Sequence, residues 1–236
     1  MYKEEEAMDN FFPSDSEVLS TRNFAYSEIK KQIIKGQLEP DATIIEEKLA
    51  KNLQISRTPL REALHRLEWE KFVDRKRNGR LKVASISIEE VKELFSVRRV
   101  LECMIVVNAA QNATKVDIQN LENLVEMASL VSSENNIEDI LSYGNRFHSY
   151  LYDISGHKTA VKILYQLNDR ISRYRRLVPI ENLKNQKPAS NGHKTILINM
   201  EKRDLPGVEK AMEDHINHSL EASIKIIKKY KAINKL

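Results

Sequence analysis

With 236 residues, 41% of them hydrophobic, the chain can fill two domains with a core each and is too apolar to be disordered throughout. No run approaches the roughly 18 uninterrupted apolar residues of a membrane helix, and the opening MYKEEEAMDN is acidic where a secretory signal is basic and then apolar, so a cytoplasmic protein without a membrane partner is expected. Cys103 is the single cysteine, which excludes an internal disulfide and a thiolate zinc cage; it reads as a small buried hydrophobe.

The net charge of +4 is modest but unevenly placed. Residues 1–21 carry one basic and six acidic side chains, residues 22–83 fifteen basic against nine acidic, and residues 84–236 22 against 19. Positive charge therefore gathers early in the chain, either on a solvated face or on a surface for a polyanion.

Residues 1–20 mix acids, Ser, Asn and Pro13 without a sustained apolar period and are expected to form a flexible leader. From Phe24 a helical stripe of Ile29, Ile33 and Ile34 runs until Gly36 and Pro40 stop it. Ile45 to Leu53, with Leu49, Ala50 and Leu53 apolar, predicts a short second helix. Ser56 is then an expected N-cap, and Pro59 falls in the first turn of a third helix, where its missing N–H costs nothing. That helix turns Leu60, Ala63, Leu64 and Leu67 inward and leaves Arg57, Thr58, Arg61, His65 and Arg66 elsewhere on its surface. Two helices so close in sequence have the helix-turn-helix layout, whose second member can lie in the major groove. After Glu70 the period becomes extended, and Asn78-Gly79 between the runs 72–76 and 80–83 predicts a type I′ turn joining a two-stranded wing. Residues 21–85 are thus expected to form a winged helix-turn-helix domain.

From Ser87-Ile88-Glu89-Glu90, a capping box, a long helix continues through Val91, Leu94, Val97 and Leu101. Further helices are expected near 114–132, 136–154, 157–178, 189–202 and 204–232, so residues 86–236 read as an all-α bundle and the fold as mainly α.

Duplex binding needs cations for phosphates and a few side chains aimed at base edges, and the arginine fork pairs bidentately with guanine. Arg57 and Arg61, four apart near the start of the third helix, can enter a groove together, with Thr58 alongside and Ser56 near the backbone. Around the wing, Arg75, Lys76, Arg77, Arg80 and Lys82 are opposed only by Asp74, an arrangement that repels itself unless a polyanion lies beside it. An Arg pair on a helix usually just faces water, but the combination of short helix, turn, arginine-bearing helix and cationic wing points to double-stranded DNA. The candidate contacts are Ser56, Arg57, Thr58, Arg61, Arg66, Arg77, Gly79 and Arg80.

Three histidines sit on apolar stripes of three expected helices: His148 with Leu141 and Leu151, His193 with Ile196, Leu197 and Met200, and His215 with Met212. Any one alone reads as a hydrogen-bonded core histidine. Three converging inside a bundle would hold a divalent transition metal such as zinc, nickel, manganese or iron, with positions open for a carboxylate or water. A three-histidine hydrolase is the rival reading, but no H-E-x-x-H spacing supplies a general base and the wing would go unexplained. A ligand-insensitive architectural DNA binder is the other alternative.

The residues also carry a family resemblance. Ile34-Lys35-Gly36-Gln37-Leu38-Glu39-Pro40, Leu49-Ala50 and above all Ile55-Ser56-Arg57-Thr58-Pro59-Leu60-Arg61-Glu62-Ala63-Leu64 resemble the DNA-binding domain of the GntR family. That resemblance implies base or adjacent phosphate contacts from Arg57 and Arg61, backbone contacts from Ser56 and Thr58, and a wing contact around Gly79. Asp41 and Lys71 stand where the family usually has glycine, and the tip reads Asn78-Gly79-Arg80 instead of Asn-Arg-Gly. Val97 to Glu102, Arg146-Phe147-His148, Ser155-Gly156, His193 with Ile196, and Asp204 followed by Ala211 to His215 resemble the FadR-type FCD effector domain. Many of its members bind a metal through one Asp and three His, matched here by His148, His193 and His215, and the metal helps hold an acidic metabolite. Gly144 occupies the usual Asp position, and Asn145 lies about 100° further round the helix. Arg98 resembles the first-helix arginine that faces an effector carboxylate, with Arg173 and Arg176 as weaker candidates and Glu102 placed to hold Arg98 by an i,i+4 contact. Together these imply a homodimeric, non-enzymatic transcription regulator, a repressor controlled by a carboxylate metabolite, on a palindromic operator.

Overall fold

A computed structural model describes residues 15–133, 137–175, 177 and 190–234, and the chain divides into two units, Met1–Ser85 and Ile86–Leu236. No helix among the described residues is long and apolar enough to cross a membrane.

In the first unit, α1 (Asp15–Ile34) buries Ala25, Ile29 and Ile33, four residues apart on one face, against α3 (Arg57–Trp69). The helix opens at Asp15 and not at Phe24, so residues 15–20, expected in the leader, are helical; the acidic, serine-rich run before Phe24 has no apolar period to announce it. Gly36, at φ 73°, turns the chain out of the helix. Between α2 (Glu46–Leu53) and α3, Gln54 adopts the left-handed conformation and closes α2 with backbone bonds to Ala50 and Lys51. Ser56 takes the extended N-cap conformation of α3, but its hydroxyl makes no capping hydrogen bond. Leu60, Leu64 and Leu67 then close over a core with Ile29, Phe72 and Val73.

The wing differs from the expected pair of strands. β1 (Thr43–Ile44) pairs antiparallel with β3 (Leu81–Val83), which pairs antiparallel with β2 (Val73–Arg75), giving the order β1-β3-β2 with Ile44 opposite Leu81 and Val73 opposite Val83. Two residues are too few for an alternation to show, so β1 has no signature in the sequence. The turn differs as well. Gly79 N–H donates to Lys76 C=O at 2.9 Å and Lys76 N–H to Arg80 C=O at 2.8 Å, and only Gly79 of the tip has positive φ. This is a three-residue loop with a left-handed glycine, not a two-residue type I′ turn. Asn78 stays at negative φ and uses its side-chain oxygen to accept from Arg80 N–H at 3.1 Å.

The two family departures in this unit, Asp41 and Lys71, both lie in the left-handed region, at φ 65° and 63°. Asp41 has compensation, because its carboxylate accepts from Lys82 Nζ and Ser85 Oγ, both at 2.7 Å. Lys71 carries the cost of a Cβ at positive φ, on the order of 1–2 kcal/mol, whereas glycine loses about 0.5–1 kcal/mol more chain entropy on folding. On backbone grounds Lys71→Gly is therefore expected to stabilise the protein by up to about 1 kcal/mol, offset by the further interaction that Lys71 makes, and Asp41→Gly to do less or nothing; urea midpoints of the two variants check this.

The second unit consists of α4 (Ile88–Asn112), α5 (Lys115–Ser133), α6 (Ile137–Ser155), α7 (Lys158–Arg175), α8 (Ser190–Glu201) and α9 (Leu205–Ile233). Ser87 Oγ caps α4 by accepting from Glu90 N–H at 3.2 Å, but the Glu90 carboxylate reaches Arg170 and Tyr174 of α7 instead of returning to the cap, so the box is half formed. Asp204 caps α9 through Gly207 N–H. The helices α4, α6, α8 and α9 pack on one another around Phe95, Ile105, Phe147, Leu151, Ile196 and Met212, which places the functional positions of α4, α6, α8 and α9 in one interior.

Candidate functional site

In the first unit the start of α3 is exposed. Ser56, Arg57, Thr58 and Arg61 face solvent, while Pro59 and Leu60 are buried, so the helix is anchored by one side and presents the other. Arg61 Nε donates to Glu46 Oε2 at 2.7 Å, and Arg57 Nη2 lies 3.5 Å from Glu47 Oε2; both acids sit in the first turn of α2. Such exposed pairs are worth about 0–1 kcal/mol, so they orient the guanidinium groups without competing seriously with a polyanion. Arg75 makes a forked contact with Glu68 at 2.8–3.2 Å and ties the wing to α3. Arg77 and Arg80 are exposed, with no ion-pair partner among the described residues.

Arg66 is placed differently from its predicted companions. Its guanidinium carbon lies 3.6 Å from the Tyr26 ring centroid, and its Nε donates to Glu70 at 3.0 Å. Tyr26 and Lys30 of α1 also donate to Glu70, at 2.6 and 3.1 Å. Burial would raise the Glu70 pKa, but these donors hold it below its ordinary value. Arg66 thus joins α1 to α3, with its side chain still half exposed.

In the second unit, His148 of α6, His193 of α8 and His215 of α9 are all buried, and one ligand nitrogen from each lies within 4.8 Å of the others. His148 Nε2 and His215 Nε2 are 3.1 Å apart. Two nitrogens bound tetrahedrally at 2.0–2.1 Å would be about 3.3 Å apart, so the donor set fits an imidazole-binding transition metal. The surrounding sequence makes the convergence physically possible. His193 stacks on Phe147 at 4.5 Å, and a Cβ on Gly192 would stand 2.5 Å from His215 Nδ1, so only glycine lets α8 come this close to that ring. A Cβ at Gly144 would meet His193 Cε1 at 3.4 Å, ordinary contact distance.

Beside the histidines, Glu102 of α4 is fully buried. Its Oε1 accepts from Arg98 Nε and Nη2, both at 3.1 Å, and from Tyr152 O–H at 2.7 Å, while Oε2 lies 3.1 Å from His148 Nδ1. Burial opposes its ionisation, but His148, Arg98 and Tyr152 outweigh that and hold the carboxyl well below the usual carboxylate range. Arg98 is itself buried, and its Nη1 has no hydrogen-bond partner among the described residues. An unmatched buried N–H is costly, so this donor is poised for an acceptor such as a ligand carboxylate. The i,i+4 contact of Arg98 with Glu102 is present as the sequence suggests; the reach of Glu102 to His148 has no local sequence signal, because it crosses from α4 to α6. Tyr152, one turn beyond His148, could have been found from that spacing alone. Arg173 is buried on α7, and Arg176 lies outside the described residues.

Comparison with known proteins matches the model for "Bacterial regulatory proteins, gntR family" to residues 21–83 and the FCD domain model to residues 93–218. The HTH-type transcriptional regulator YdhC of Bacillus subtilis is 25% identical over 83% of this chain and 88% of its own length. The HTH-type transcriptional repressor RspR of Escherichia coli is 22% identical over 84% of this chain and 86% of its own. Among solved structures, E. coli McbR/YncC superposes with a TM-score of 0.70 at 21% identity, covering 89% of this chain and 98% of that one.

Proposed function

The chain belongs to the gntR family of bacterial regulatory proteins with an FCD domain, and on that premise we propose that this DNA-binding transcription regulator is a cytoplasmic, metabolite-controlled repressor acting as a homodimer. The observation that carries the reading is the exposed first turn of α3. That end of the helix offers Arg57 and Arg61 one turn apart, with Arg77 and Arg80, which have no ion-pair partner among the described residues, at the wing tip. Arg57 and Arg61 would read base edges, Ser56 and Thr58 would contact the backbone, and Arg77, Gly79 and Arg80 would follow an adjacent phosphate run. A palindromic operator needs two copies, and the exposed apolar stripe Val97, Val100 and Met104 on α4 supports pairing with a second chain.

In the second unit, His148, His193 and His215 would hold a divalent metal, which supplies a Lewis-acidic contact for an anionic effector. Arg98 Nη1 would meet the effector's carboxylate. Effector can change DNA affinity only by binding the DNA-competent and incompetent states unequally, typically by 1–3 kcal/mol. A thermal-shift screen of di- and tricarboxylates with zinc or nickel, followed by duplex-binding titrations, tests this. A carboxylate that raises Tm is expected to alter duplex affinity roughly 5- to 150-fold, and to lose that effect in Arg98→Ala. Stabilising ligands that leave duplex affinity unchanged would favour a ligand-insensitive architectural role.

A further inference from the structure

We propose that Glu102 is a positioning residue of the histidine centre, fixing His148 so that its Nε2 lone pair points at the cation; this rests on reading the three histidines as a metal site. Glu102 stands on α4, the neighbouring helix that carries none of the three histidines. Its Oε1 is saturated by three donors, two from Arg98 and one from Tyr152, and Tyr152 in turn receives Asn168 Nδ2 at 3.2 Å. With Oε1 filled by these donors, Oε2 is the oxygen that stands 3.1 Å from His148 Nδ1, where a carboxylate would accept an Nδ1–H. A proton on Nδ1 leaves Nε2 bare, and Nε2 is the atom that faces His215. A carboxylate on the far nitrogen both sets the tautomer and makes the imidazole a stronger donor to a metal. The arrangement matters more here because residue 144, one turn before His148, is glycine and brings no charge of its own to the cluster.

The test uses the full-length chain with Zn²⁺ or Ni²⁺ alone, measuring Kd by competition with a chromophoric chelator and recording the Co²⁺ visible spectrum. Glu102→Gln is expected to weaken binding roughly 10- to 100-fold and to change the Co²⁺ bands, the usual scale for losing such a partner. Glu102→Asp, which keeps the charge on a shorter arm, should recover part of that loss and serves if the amide variant folds poorly. Tyr152→Phe removes a donor to Glu102 without touching His148; it should lower Tm while leaving Kd within about threefold, well short of the partner-loss scale. A role in packing alone would lower Tm in all three variants and leave every Kd at the wild-type value, overturning the proposal. Wild-type protein that takes up no metal would overturn the underlying metal reading instead.

Discussion

Replacing Arg61 by alanine should weaken binding to the protein's preferred duplex by roughly 5- to 150-fold, the 1–3 kcal/mol of a lost bidentate base contact. Arg57→Ala should fall in the same range. The folded state has little to lose from either change. The Arg61 side chain is 61% exposed, so its ion pair with Glu46 contributes only about 0–1 kcal/mol. Melting temperatures within about 3 °C of wild type, together with lost duplex affinity in anisotropy titrations, would separate reading from folding. Arg66→Ala is expected to do the reverse, because its guanidinium stacks on Tyr26 and bonds Glu70.

The second large effect is expected at His193. With His193→Ala the centre keeps two imidazoles, and metal stoichiometry by elemental analysis should fall from about one per chain to near zero. At a metal concentration of about 100 times Kd, the wild-type protein should gain roughly 2.7 kcal/mol of stability from binding. For a unit of this size that corresponds to about 5–10 °C in Tm, abolished by chelator and absent from the variant. His193→Ala also removes the ring stacked on Phe147, so the comparison to make is the chelator-dependent difference in Tm within each protein, not the absolute value.

Much of this molecule can be read from its sequence, and the parts that cannot share a cause. Apolar periodicity locates α3 through Leu60, Ala63, Leu64 and Leu67, all of them buried, and it brings His148, His193 and His215 inward on three separate helices. It is silent where burial does not repeat. β1 is two residues long, and the start of α1 carries no apolar stripe. The tip shows a subtler limit. Asn-Gly correctly marks a reversal, but whether the loop holds two or three residues depends on the register of β2 against β3, with Arg75 opposite Leu81, which no dipeptide encodes. Contacts between helices are hidden for the same reason. The pairing of Arg98 with Glu102 lies within one helix and is legible at i,i+4, whereas Glu102 to His148 spans 46 residues and needs the packing of α4 on α6. Arg66 looks like its neighbours in sequence, and only the approach of Tyr26 separates it from them.

Selection of full-length protein against a random duplex library, followed by salt titration of the enriched sequence, bears most directly on the claim that the first turn of α3 and the wing tip read DNA. Enrichment of an inverted repeat is expected, with log affinity falling linearly against log salt by about 0.9 for each phosphate neutralised. Arg77→Ala should lower that slope by about one, weakening all duplexes alike. Recovery of no preferred sequence, or an affinity indifferent to salt, would contradict the account.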